Sequence, residues 1–301
     1  MEQAVEFYEL SKAISIYTKP ILFFYGMQRL AKALIFFKNP TIEDTNLRTH
    51  GITGGGISSK IENFLESRLH ISKKGGIFKE FAKLTTKNRI LMKDTFYTAN
   101  DSHHTLFWLF DFENTKFLES SEFKVRDLLF LIPELLDVLF FFKIENTSLI
   151  DCQFSTRQHS DGNLDTLANI EEKIDLTTLR SKFPEFTAYE VTKNNDMLLL
   201  NCERKDKILF PDQIVQSNIG KTYLINVDSE KVITDLNVHF LLMFLLNFIA
   251  RYKAPLLSEL IEGNTRSENI ALIEKFIQTS ALKFPKLILA ELTGTYFLFE
   301  K

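Results

Sequence analysis

The sequence predicts a mainly helical α+β protein, in which helical N- and C-terminal regions pack together and a small antiparallel sheet occupies the middle third. Apolar residues recur every three or four positions in residues 7–37 and again from residue 238 onward, as on one face of a helix. Between residues 147 and 235, short alternating runs separated by turn residues replace that spacing. With 301 residues, 45% of them hydrophobic, the chain is long enough for a large core.

The first 38 residues predict a helical hairpin. Pro20 suits the first turn of the second helix, where its missing N–H costs no hydrogen bond. Gly26 lies in the middle of that helix and is expected to let a neighbouring element approach closely. Asn39 and Pro40 predict the end of the helix, because the residue before a proline is disfavoured in the helical conformation.

Residues 41–60 form a polar, glycine-rich connection that is too long for a simple turn and is therefore predicted to be functional or mobile. Its glycines Gly54, Gly55 and Gly56 are expected to permit positive φ in a flexible loop. The segment approaches the phosphate-binding pattern G-x-x-x-x-G-K-[ST], but Ile57 stands where the lysine belongs. A flexible loop is therefore favoured over nucleotide binding at these glycines.

The remaining elements are predicted from the spacing of apolar residues and from the glycine, proline and other turn residues between them. A strand is predicted over residues 64–71 and helices over 77–84, 122–142 (broken at Pro133), 164–181, 238–252, 254–262 and 268–284. The predicted regions are a helical N-terminal region at 1–146, a small α/β region at 147–236 and a C-terminal helical region at 237–301. Charges inside the apolar runs favour buried core helices over membrane spans.

Composition excludes several classes of function. The net charge is -3 with a pI near 6.1, so no general binding of nucleic acid is expected. Cys152 and Cys202 have no C-x-x-C partner, and the N-terminus lacks a signal-peptide pattern, so a cytoplasmic protein is expected. No catalytic or metal-binding motif occurs. A non-enzymatic protein without cofactor or metal is therefore favoured, with enzymatic activity left open.

Two polar groupings remain as candidate sites. Arg48 and His50 lie within the polar segment 41–60, just before its glycines. A brace that holds the loop is favoured for them over a pair that contacts phosphate or acts as an acid–base couple. His239, Asn247 and Arg251 follow one i, i+4 line on an apolar helix. Because buried polar groups need partners, an internal polar network is favoured over a ligand pocket on that helix.

The whole chain resembles the YaaC-like protein family. The resemblance lies in residues 20–34 (PILFFYGMQRLAKAL), 49–51 (THG), 250–255 (ARYKAP) and 283–285 (KFP). It implies a bacterial cytoplasmic protein, with some relatives linked to anti-phage defence as the sensing partner of an effector. The N-terminal helix and the Thr-His-Gly segment are also similar to HEPN-type helical domains, several of which are RNases. Those nucleases use R-x(4–6)-H, a spacing that no arginine and histidine share here.

The resulting hypothesis is a non-enzymatic sensor or adaptor that recognises an infection-associated, phage-derived component. It would recruit a protein effector, with a membrane-acting effector among the candidates. The candidate binding residues are Gln28, Arg29, Arg48, His50, Gly54, Gly55, Gly56, His239, Asn247 and Arg251. The alternative is a HEPN-like RNase or nucleotide-handling enzyme that uses Arg48, His50, His239 and Arg251. A further alternative is a homo-oligomer assembled through phenylalanine-rich faces.

Overall fold

A computed structural model describes residues 2–97, 103–113, 115, 122–158, 164–171, 176–183, 190–194, 197–204, 213–228, 232–262 and 266–295. The chain divides into two compact units. Unit 1 comprises Met1–Thr86, Thr115–Asn146 and Ser229–Lys301, and unit 2 comprises Lys87–Asn114 and Thr147–Asp228. Residues 87–114, which the sequence placed in the N-terminal region, therefore group with the residues that follow position 146.

The described residues contain nine α-helices and eleven β-strands. The helices are α1 (Glu2–Lys12), α2 (Lys19–Lys38), α3 (Ile77–Leu84), α4 (Val125–Phe130), α5 (Leu136–Phe141), α6 (Leu176–Lys182), α7 (Asp235–Tyr252), α8 (Ala254–Glu262) and α9 (Arg266–Thr293). The strands are β1 (Ile52–Gly56), β2 (Arg68–Ile71), β3 (Lys87–Tyr97), β4 (His103–Glu113), β5 (Glu122–Lys124), β6 (Leu149–Gln158), β7 (Leu164–Glu171), β8 (Glu190–Asn194), β9 (Met197–Arg204), β10 (Ile214–Gln216) and β11 (Thr222–Ile225).

Each unit has its own sheet. In unit 1, three antiparallel strands follow the order β1-β2-β5. In unit 2, an eight-stranded sheet contains the path β10-β11-β6-β7-β9-β8, and β3 pairs with β4 and β6. Its neighbours are antiparallel except for a short parallel pairing of β3 with β6. The predicted α+β, mainly α class is confirmed.

The core of unit 1 forms where α2, α3, α7 and α9 meet. Phe240 on α7 lies at its centre, with its ring centroid 5.4 Å from those of both Phe24 on α2 and Phe81 on α3. Phe284 on α9 completes the cluster, 6.0 Å from Phe81. Edge-to-face and tilted aromatic pairs of this kind add to the free energy gained by burying apolar surface. The expected packing of the two terminal helical regions is therefore present within unit 1.

By length and composition alone, α2 could cross a membrane, and α7 with α8 would also pass that test as one span bent by 110°. In the fold, α2 packs on α1, α3, α7 and α9. Half of its apolar window is buried in these contacts. This is the arrangement of a core helix, as the sequence predicts.

Several local predictions are confirmed. Pro20 lies in the first turn of α2, and α2 ends before Asn39. A β-carbon added at Gly26 would lie 2.8 Å from the ring of Tyr8, so the glycine permits the close contact of α1 with α2. The helices predicted over 77–84, 238–252 and 254–262 correspond to α3, α7 and α8.

Other local predictions are wrong. In place of the single helix predicted over 164–181, residues 164–171 form strand β7 and residues 176–182 form the short helix α6. Only residues 68–71 of the predicted strand 64–71 form β2. Strand β5 occupies the start of the predicted helix 122–142, but the predicted break at Pro133 is confirmed, because a 3₁₀ turn at Pro133–Leu135 separates α4 from α5. Helix α9 continues through Pro285 to Thr293, because its packing on α2 and α8 outweighs the cost of an internal proline.

The prediction of a flexible loop at Gly54–Gly56 is also wrong, because these glycines form the end of strand β1. None of the three has positive φ. Positive φ occurs instead at other glycines, among them Gly51, Gly75 and Gly76, with φ of 75°, 93° and 123°. A β-carbon at Gly76 would lie 2.5 Å from the backbone of Gly51, so the start of α3 can approach the start of β1 only through a glycine.

Candidate functional site

The candidate site surrounds His50, which lies between a 3₁₀ turn at Asp44–Leu47 and strand β1. The backbone carbonyls of Thr49 and His50 accept hydrogen bonds from the N–H groups of Ile77 and Phe78, at 2.9 and 3.0 Å. They thereby satisfy two of the N–H groups that the first turn of α3 leaves open. The backbone at His50 therefore has a structural role that fixes the position of its side chain.

The imidazole of His50 lies between α2 and α7. Its Nδ1 is 2.7 Å from Nε2 of Gln28 on α2. With the amide in this orientation, Gln28 donates and Nδ1 accepts, so the ring proton is on Nε2. The ring packs against Phe24 on α2 and Phe244 on α7, with centroid distances of 5.2 and 5.7 Å. The side chain is thus held by three contacts and is still partly exposed.

The positive charges of two residues on different helices act on the imidazole. The pKa of His50 is lowered by burial and by the positive charges of Arg251 on α7 and Lys32 on α2, so His50 is neutral at pH 7. Arg251 donates a hydrogen bond from Nη1 to the hydroxyl of Tyr25, at 3.1 Å. Within the described part of the chain, neither Lys32 nor Arg251 forms an ion pair with a carboxylate. We call Tyr25, Gln28, Lys32, His50 and Arg251 the His50 site.

Strand β1, which ends in Gly54, Gly55 and Gly56, is held beside this site by contacts with residues at the C-terminal end of α7. Lys253 donates from Nζ to the carbonyl of Ile57 at 2.6 Å and to Oγ of Ser59 at 3.0 Å. The β-carbon position of Gly54 lies 2.9 Å from the ring of Phe248, so only glycine lets that ring pack on β1. Gly55 has no atom within 4 Å of its β-carbon position and is exposed.

The structure brings together only part of the predicted set. Gln28, His50 and Arg251 lie in the His50 site. Arg29 and Arg48 are exposed and make no hydrogen bond or ion pair with any residue described here. The structure therefore shows no contact of the predicted Arg48–His50 pair.

His239 and Asn247 lie elsewhere, inside unit 1. Nδ1 of His239 is 2.6 Å from Oγ of the buried Ser280 on α9, and its ring stacks on Phe276. Asn247 is buried, and its Oδ1 has no partner among the described atoms. An i, i+4 line turns by about 40° per step, so Arg251 is rotated by roughly 120° from His239 about the helix axis. The predicted common strip on α7 therefore splits into a buried part and an exposed end.

Sequence reasoning missed Tyr25 and Lys32 of the His50 site and also a second group of residues. Tyr25 and Lys32 share one face of α2 with the predicted Gln28 through i, i+3, i+7 spacing, a signal that was present in the sequence. The second group is centred on the buried Lys283, whose Nζ is 3.2 Å from a carboxylate oxygen of Glu134 and 3.0 Å from one of Asp235. Burial works to lower the pKa of Lys283, but these carboxylates outweigh it and raise the pKa. No local motif could reveal that ion group, because its members are far apart in sequence.

Among the described side chains, no group of three or more His, Cys, Asp or Glu is placed to hold a metal ion. The His50 site instead offers donors: a guanidinium, an ammonium and the Nε2–H of a neutral imidazole. Charged donors of this kind bind oxyanions through short hydrogen bonds. The arrangement is therefore chemically suited to an anionic ligand.

Fold and site together define a helix-rich α+β protein with a cationic, partly exposed histidine site in unit 1. A family model described as "YaaC-like Protein" matches residues 1–292. The chain therefore belongs to the YaaC-like family, and the resemblance seen in its terminal helices is confirmed. No curated protein and no solved structure shows detectable similarity to this chain. The similarity to HEPN-type domains stays a prediction.

Proposed function

We propose that this protein is a non-enzymatic sensor or adaptor that recognises an anionic ligand at the His50 site and recruits an effector protein. The observation that carries the proposal is the placement of a partly exposed His50 between α2 and α7, where Gln28 holds its ring and Arg251 hydrogen-bonds Tyr25 across the two helices. Burial and the charges of Arg251 and Lys32 keep its imidazole neutral. In the described chain neither cation has a carboxylate partner. An anionic ligand would supply the missing counter-charge.

The electrostatic repulsion between the cations of this site supports a role in ligand binding. Two like charges from separate helices repel each other, and they lower the pKa of the imidazole between them. A ligand phosphate or carboxylate would turn that repulsion into attraction, with charge-assisted hydrogen bonds from Arg251 and Lys32. The Nε2–H of His50 and the hydroxyl of Tyr25 would add neutral donors.

Thermal unfolding with inorganic phosphate tests the binding step. A ligand that binds only the folded state raises the melting temperature by an amount that increases with the ratio of its concentration to its Kd. We expect phosphate to raise it relative to chloride at equal ionic strength, and Arg251→Gln and Lys32→Gln to reduce that rise. Arg180→Gln is the matched control, since Arg180 is an exposed arginine on α6 in unit 2. An equal rise in the wild type and Arg251→Gln, or no rise at all, would contradict the proposal.

The parts of the proposal that concern infection rest on the family resemblance: a phage-derived ligand and an effector partner. In a phage-plating assay of cells that carry the native locus, we expect Arg251→Gln to lose protection. Arg180→Gln is expected to keep it. If both variants protect the cells equally, the His50 site is not needed for defence.

The enzymatic alternative is favoured by one observation, the neutral imidazole of His50 beside a guanidinium, which is the state a general base needs. His239 cannot take part as predicted, because it is buried and held by Ser280. Purified protein incubated with RNA and with nucleoside phosphates tests this alternative. Turnover that disappears in His50→Ala would replace the non-enzymatic proposal.

A further inference from the structure

An exposed aromatic ring lies directly beside the cations of the His50 site. Tyr252, the last residue of α7, is 62% exposed. The guanidinium carbon of Arg251 lies 4.9 Å from the centroid of the Tyr252 ring. The same guanidinium donates to the hydroxyl of Tyr25. Arg251 therefore connects the polar part of the site to an aromatic surface.

The Tyr252 ring packs on a neighbouring aromatic side chain, which fixes its position. The centroid of Phe248 lies 5.1 Å from that of Tyr252, and Phe248 packs on the bare backbone of Gly54. Lys253, the next residue along the chain, is tied to the carbonyl of Ile57. The end of α7 is thus anchored on β1, and the Tyr252 ring is held at the surface although most of its area faces solvent.

We propose that the ligand of the His50 site is a nucleotide, with its phosphate at Arg251 and Lys32 and its base stacked on Tyr252. This inference rests on the proposed anion-binding function and adds the chemical class of the ligand. An anion alone would use the cations and leave unused the part of the Tyr252 ring that faces solvent. A nucleotide carries both a negative charge and a planar ring, and base stacking on an aromatic side chain depends little on which base is present.

Four probes separate the two parts of the ligand: inorganic phosphate, ribose 5-phosphate, adenosine and AMP. Titration calorimetry on the full chain at fixed ionic strength measures each affinity. We expect AMP to bind about tenfold more tightly than ribose 5-phosphate, which is a stacking contribution of ordinary size. Adenosine, which lacks the phosphate, should bind more weakly than AMP.

Variants at the ring assign the effect. Tyr252→Ala is expected to lower the affinity for AMP to that of ribose 5-phosphate, while the affinity for ribose 5-phosphate stays unchanged. Tyr252→Phe keeps the ring and should restore AMP binding. Phe140→Ala is the control, because Phe140 is an aromatic residue on α5 that is 86% exposed. These substitutions lie at exposed positions, so folding is expected to be preserved.

The outcomes distinguish this inference from the function on which it rests. If phosphate and ribose 5-phosphate bind through Arg251 but AMP gains nothing from Tyr252, the nucleotide inference is overturned and anion recognition stands. If no phosphate-bearing probe binds, both are overturned. If AMP binds tightly and Arg251→Gln and Tyr252→Ala each weaken its binding, both the anion-binding function and the nucleotide inference are supported.

Discussion

Acid is expected to destabilise unit 1 through His239. Burial lowers the pKa of this histidine to about 3, and the charge of Lys283 acts in the same direction, whereas the unfolded chain titrates near 6.5. The stabilising effect is therefore complete above pH 6.5 and declines as the pH falls toward 3, because only the unfolded chain takes up the proton. Between pH 7 and pH 5, the linkage relation gives a loss of about 2 kcal/mol from this one group.

His239→Gln removes the titrating group and keeps a side chain that can hydrogen-bond Ser280. Urea unfolding followed by helical circular dichroism reports mainly unit 1, which holds eight of the nine helices described. Between pH 7 and pH 5, the wild type should lose about 2 kcal/mol more stability than the variant. If His239→Gln loses as much stability as the wild type over this range, the reasoning is refuted.

Three further predictions concern unit 1. Gly56→Ala would place a β-carbon 2.9 Å from a backbone oxygen of β2, so the free energy of unfolding in urea should fall by about 1–3 kcal/mol. In Gly55→Ala the β-carbon meets no atom within 4 Å, so the free energy of unfolding should not change. Equal losses in the two variants would contradict this reasoning. Lys283→Ala removes the buried cation that pairs with the partly buried carboxylates of Glu134 and Asp235, at a cost of about 3–5 kcal/mol in the same assay. A change below about 1 kcal/mol would show that these carboxylates are not ionised. Protonation of His50, whose pKa is lowered, should increase the affinity for sulfate, measured by calorimetry, as the pH falls below 6.5. His50→Gln should abolish that increase. If the variant keeps the increase, His50 is not its source.

The sequence alone determines those features that depend on residues close together in the chain. The apolar spacing of residues 77–84 and the proline at position 20 define α3 and the start of α2, because helix hydrogen bonds and caps join residues within one or two turns. The terminal motifs also carry enough information to indicate the family. The i, i+3, i+7 face of Tyr25, Gln28 and Lys32 belongs to the same class of signal.

Tertiary structure alone decides which polar residues meet and which backbone conformation an ambiguous segment adopts. Residues 164–181 have a helical pattern, but strand pairing with β6 and β9 takes the first part into the sheet of unit 2, since β propensity depends on cross-strand partners. His239 and Arg251 occupy one line on α7 in the sequence, yet one is buried against α9 and the other reaches Tyr25 on α2. The physical reason is that burial and charge pairing act between residues that are distant in sequence, and no local pattern records which distant residues a side chain will face.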